Sequence, residues 1–169
     1  MMKLTGKLYG STLNKSSATL VGVITGDAVS LNTTNASGTY ASANAANGIA
    51  VTVTGNSISG TESGNYTLTQ PSLSANITPA LVTITGANNT VTYNALTQTN
   101  SGARVSINGA SATTITGSTV NTGIGTESFT LSGYAAAKDY SATRYSDSLL
   151  LTSNVGTTAR NYSITYSQG

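Results

Sequence analysis

Ile49-Ala50-Val51-Thr52-Val53-Thr54 sets Ile49, Val51 and Val53 on one face of an extended segment, with Thr52 and Thr54 on the other. Period-two alternation with one apolar face predicts a strand whose sheet buries one side. Gly55-Asn56 is a turn signal, and Ser57-Ile58-Ser59 resumes a strand beyond it. Working outward, Tyr66, Leu68 and Gln70 alternate with Thr67 and Thr69 until Pro71 stops the pattern. Leu73, Ala75 and Ile77 follow before Pro79. Further strands are predicted at residues 81–85, 91–93, 104–107, 113–116, 128–131, 148–151 and 162–166. Strands with one apolar face call for two sheets packed face to face.

Composition agrees. Only 7% of the 169 residues are charged, against about 25% in ordinary soluble proteins. Thr, Ser, Asn and Gly supply the polar surface instead. Disorder needs high net charge and few β-branched residues, whereas Val, Ile and Thr recur throughout and fit a pleated surface. The Ala-rich run at 134–138 is too short to stand as a helix. The predicted class is all-β.

Cys and His are absent, which removes disulfides and Cys or His metal ligands. Seven cations are spread from Lys3 to Arg160 without forming a basic block, so no nucleic-acid partner is expected. No apolar run approaches the roughly 20 residues of a membrane helix, and no membrane span is expected. The opening MMKLTGKLYG lacks the apolar stretch of a signal peptide. The chain is therefore expected to be a portion of a longer exported protein, with Met1 an added start.

The chain also echoes itself. Gly64-Asn65-Tyr66-Thr67-Leu68-Thr69-Gln70 has a counterpart in Arg160-Asn161-Tyr162-Ser163-Ile164-Thr165-Tyr166, and Lys7-Leu8-Tyr9 in Val91-Thr92-Tyr93. A cut near Pro79 gives two modules, 1–79 and 80–169. Ile77-Thr78-Pro79-Ala80-Leu81 leaves almost no linker, so a stiff, extended tandem is expected.

The first module resembles the YDG repeat of bacterial filamentous haemagglutinin-type and other large secreted adhesins. The resemblance rests on Leu20-Val21-Gly22-Val23-Ile24-Thr25-Gly26-Asp27-Ala28-Val29-Ser30-Leu31, then Gly38-Thr39-Tyr40, Val51-Thr52-Val53-Thr54-Gly55 and Ile58-Ser59-Gly60. It closes on Gly64-Asn65-Tyr66-Thr67-Leu68-Thr69-Gln70-Pro71 and Ile77-Thr78-Pro79. The second module is similar to the MBG-type repeat that often follows YDG repeats. It shows Thr90-Val91-Thr92-Tyr93-Asn94, Phe129-Thr130-Leu131-Ser132-Gly133-Tyr134 and Tyr145-Ser146-Asp147-Ser148, leading to Asn161-Tyr162-Ser163-Ile164-Thr165. Together these imply two tandem immunoglobulin-like β-sandwich modules in a secreted or surface-anchored bacterial protein. Where the family motif reads Tyr-Asp-Gly, the chain has Tyr9-Gly10-Ser11 and Tyr93-Asn94-Ala95. Asn94 can bond its own backbone as an Asp would, whereas Gly10 supplies only permissive torsions.

Catalytic constellations are scarce. The acids Asp27, Glu62, Glu127, Asp139 and Asp147 form no close pair in sequence, and no His or Cys activates a nucleophile. Lys15 beside Ser16 reads as a solvated turn. An isopeptide bond joining Lys7 to Asn65 beside Glu62 is conceivable; the plainer reading makes Lys7 an exposed strand residue and Asn65 a turn former. Calcium wants clustered carboxylates, and Asp139 and Asp147 stand eight apart. No catalytic residue, cofactor or metal is expected.

Thr52/Thr54, Thr83/Thr85 and Thr90/Thr92 could rank hydroxyls as an ice-binding face does, but they are unevenly spaced and read as solvent-facing strand positions. Several sequons occur, including those at Asn32, Asn65, Asn76, Asn88 and Asn161. Tyr66 and Tyr162 are expected to be core anchors whose hydroxyls bond loop backbone. Tyr134, Lys138, Tyr140, Arg144 and Tyr145 lie in the least regular segment and are the candidate ligand contacts, for a host glycan or receptor. The expected function is a non-catalytic adhesin repeat acting as a rigid spacer beside neighbouring repeats. The alternative is a dedicated glycan- or ice-binding module.

Overall fold

The computed structural model describes residues 7–8, by their backbone alone, and 18–168. Tyr9, Gly10, Ser11, Lys15, Ser16 and the Lys7 side chain lie outside the described residues. Among the described residues strand accounts for 40%, no helix reaches seven residues, and the several sheets form no barrel. The chain divides into two compact units, 1–79 and 80–169.

The first unit contains β1 (Lys7–Leu8), β2 (Ser30–Asn32), β3 (Ser37–Tyr40), β4 (Ala46–Thr54), β5 (Ser57–Ser59) and β6 (Ser72–Thr78). One sheet runs β1-β6-β4-β3, and β2 and β5 pair as a separate ribbon. The opening stretch lies in β4, where Ile49, Val51 and Val53 are buried and the residues between them exposed. In β6, Ala75 stands opposite Ile49 and Leu73 opposite Val51, so both strands turn their apolar sets to one side. At Gly55 the chain leaves this sheet for the ribbon. Its φ is +79°, and a Cβ there would lie 2.1 Å from the Asn35 carbonyl oxygen, so only glycine fits. The turn foreseen at Gly55-Asn56 thus joins two sheets.

The second unit contains β7 (Ala80–Thr85), β8 (Gln98–Thr99), β9 (Arg104–Ile107), β10 (Thr113–Thr114), β11 (Thr119–Asn121), β12 (Ser128–Ser132), β13 (Ala136–Ala137), β14 (Leu150–Ser153) and β15 (Tyr162–Ser167). Its sheets run β10-β9-β7-β15, β11-β12-β14 and β13-β8. Ala80, Val82 and Ile84 of β7 are fully buried, as alternation required. Val120, Phe129, Leu131, Leu151 and Tyr162 are also buried, with Phe129 and Tyr162 meeting edge to face at 5.0 Å.

Among the described residues, the first strand of each unit pairs parallel with the last. Lys7 stands opposite Ile77 and Leu8 opposite Thr78; Ala80 to Thr85 stand opposite Tyr162 to Ser167 over six pairs.

Two expected strands are corrected. Residues 66–70 form no ladder, and the side chains at either end bond neighbouring segments. The Tyr66 hydroxyl turns to residues 24 and 27, and Gln70 bonds both the carbonyl and the amide of Asn56 at 2.9 Å. Residues 91–93 are exposed coil. Just beyond them Asn94 Oδ1 accepts from the Leu96 amide, and Ala95 takes φ +64°, a turn that ends extension. The strands expected at 113–116 and 148–151 fall at Thr113–Thr114 and Leu150–Ser153.

Candidate functional site

Two arrangements gather the polar side chains. The first is repeated. Short 3-10 turns at Ser63–Asn65 and Ala159–Asn161 each deliver a tyrosine into extended backbone, Tyr66 and Tyr162. The Tyr66 hydroxyl donates to Asp27 Oδ2 at 2.6 Å and accepts from the Ile24 amide at 3.1 Å. The Tyr162 hydroxyl donates to the Glu127 carboxylate and lies 3.2 Å from Thr122 Oγ1. Each acid sits at the end of a matching turn, its amide bonded at 3.1 Å to the carbonyl of Ile24 or Ile124. Ile24-Thr25-Gly26-Asp27 and Ile124-Gly125-Thr126-Glu127 are thus equivalent, a match the echo of the tyrosines could have prompted.

Of the two expected core anchors only Tyr162 lies in the buried core; Tyr66 does not. Tyr162 is buried against Phe129 and bonds side chains in place of the expected backbone. Tyr66 is half-buried. Its hydrogen bond to Asp27 raises its pKa above the usual tyrosine value, because ionising the phenol would forfeit the donated proton.

The second arrangement joins two loops of the second unit, residues 86–97 and 138–149. Their bases meet where β8 pairs antiparallel with β13. Asn100 Nδ2 donates to the Ala87 carbonyl at 2.8 Å and to Asp147 Oδ2 at 2.9 Å. Asp147 Oδ1 accepts from the Ala135 amide at 2.6 Å, and Arg144 Nη1 donates to Asn88 Oδ1. The Ser148 amide donates to the Gly133 carbonyl at 2.7 Å, closing the second loop.

The five candidate contacts divide on this frame. Tyr140 is 86% exposed and Tyr145 50%. Lys138 and Arg144 are exposed as well. The Tyr145 hydroxyl donates to the Asp139 carbonyl at 3.1 Å, holding the loop's shape. Tyr134 is half-buried, next in sequence to the Gly133 that closes the loop, and burial followed by the Asp147 charge raises its pKa. Tyr93, 62% exposed on the neighbouring loop, was expected to lie in a strand. The Asn88–Arg144 bond, which no spacing reveals, brings its loop alongside.

The remaining candidates are scattered. Glu62 accepts from the Ala28 amide at 2.9 Å, and Asn65 is exposed. Thr52 and Thr54 are exposed on β4 and Thr90 and Thr92 lie in coil, while Thr83 and Thr85 bond Thr165 and Ser167 across the parallel ladder. Of the sequons, Asn161 is fully buried. Among the described residues no three acidic side chains gather into a metal site. An apolar groove of about 310 Å³ in the first unit, lined by Leu20, Val29, Leu31, Ile58, Tyr66 and Leu68, carries no charged side chain among the described residues.

Comparison with known families gives a class for the first unit. A YDG domain is found at residues 5–74. No curated protein and no solved structure matches the chain.

Proposed function

We propose that the chain is a non-catalytic repeat segment of a bacterial secreted or cell-surface adhesin, built of two immunoglobulin-like sandwiches and acting as a rigid spacer. Residues 80–169 are read as the MBG-type companion of the YDG domain. The observation that carries this reading is the repeated plan. In each unit the first strand lies parallel to the last, and a tyrosine bonds a carboxylate 39 or 35 residues upstream. Only Pro79 separates β6 from β7.

Within this reading the paired loops of the second unit are the contact surface for a host glycan or receptor. Exposed Tyr140 and Tyr93 lie on the two loops that the Asn88–Arg144 bond joins, and they offer aromatic faces and hydrogen-bonding groups on a braced frame.

Backbone ¹⁵N relaxation tests the spacer. A common tumbling time for residues 18–78 and 80–168 is expected, and independent tumbling would sink the rigid-spacer reading. A glycan array with the wild-type chain and Tyr140→Ala tests the surface. Binding that the substitution leaves unchanged would remove these loops from consideration.

A further inference from the structure

We propose that the second unit bears tension, with β7 and β15 as a clamp loaded in shear. The inference deepens the spacer reading and depends on it only for its biological setting. The chain enters the unit at Ala80, the first residue of β7, and β15 ends at Ser167, the last residue of the ladder. Because the strands run parallel, these two points stand at opposite ends of the same six pairs. Tension between them runs along the strands, so every rung is strained together. Were both ends attached at one end of the ladder, the rungs would open in turn.

The clamp is reinforced along its length. The Gly86 amide donates to the Ser167 carbonyl at 3.0 Å, extending the ladder beyond the last pair. Thr165 Oγ1 lies 3.2 Å from Thr83 Oγ1, and Ser167 Oγ 3.1 Å from Thr85 Oγ1, adding side-chain bonds between the strands. Ala80, Val82 and Ile84 are wholly buried beneath, so water cannot readily replace a strained rung on that face. At its start β15 is held by buried Asn161 and by Tyr162, packed on Phe129. Proline before β7 leaves a single residue between the preceding strand and the clamp.

Single-molecule stretching of the full chain tests this, and the lack of native cysteine makes handle placement clean. Thr78→Cys with Gln168→Cys pulls the ladder in shear; Thr90→Cys with Gln168→Cys pulls it from one end. All three positions are exposed, and circular dichroism establishes that each variant is folded. The expected result is a severalfold higher unfolding force in the shear geometry. Adding Thr83→Val and Thr165→Val should lower that force and leave the one-end force unchanged. Equal forces in the two geometries would overturn the clamp. The relaxation experiment separates this from the spacer reading, since a clamp can hold within a unit that tumbles alone.

Discussion

Tyr66 and Tyr162 follow equivalent turns and bond equivalent acids, yet they answer to different perturbations. Tyr162→Phe removes a charge-assisted bond from a buried cluster and should cost about 1.5–3 kcal/mol, read from urea denaturation at neutral pH. Tyr66 is more open, and its signature is pH. Its pKa is raised in the folded chain, so its contribution is fully present below the ordinary tyrosine value of about 10 and is lost as pH rises through the folded value. The stability gap between wild type and Tyr66→Phe should hold steady to about pH 10 and narrow above it. A gap that widens with alkali would contradict the assigned bond. The sequence echo marked both tyrosines, of which Tyr162 alone lies in the core. Their acids were hidden, because Asp27 and Glu127 lie far upstream and acquire meaning only when the chain folds back.

At the level of elements, legibility followed the length of alternation. β4, β6, β7, β9, β12 and β15 carry enough apolar positions to set a period, and each was foreseen to within a few residues. β8, β11 and β13 have two or three residues and no period to read. Alternation misled at 66–70 and 91–93, which are coil, the second followed at once by an Asn94 turn. The paired loops depend on amide and carboxylate bonds between distant segments, which left only their irregularity visible. Gly133 closes the base of one loop with φ +86° and would place a Cβ 1.8 Å from the Ser148 carbonyl oxygen. Gly133→Ala should therefore cost at least about 2 kcal/mol and broaden the NMR signals of residues 138–149. A neutral effect on both would show that the loop does not rely on this contact.

For the whole molecule, each sheet draws its strands from one unit, and each unit has buried side chains of its own. Residues 80–169 alone should then fold cooperatively, giving a dispersed NMR spectrum that overlays the corresponding signals of the full chain. A collapsed or unfolded fragment would show that the division at Pro79 is not a folding boundary. The pairing of first strand with last carries a further consequence, in time. Thr83 and Thr165, which meet across the clamp, are 82 residues apart in sequence. Because non-local pairing must await the arrival of both strands and bear the entropy of closing the loop between them, β7 is made early and left waiting. A ribosome, which emits the chain from its N-terminus, would hold each unit incomplete until its last strand emerges, and close it in a single late step.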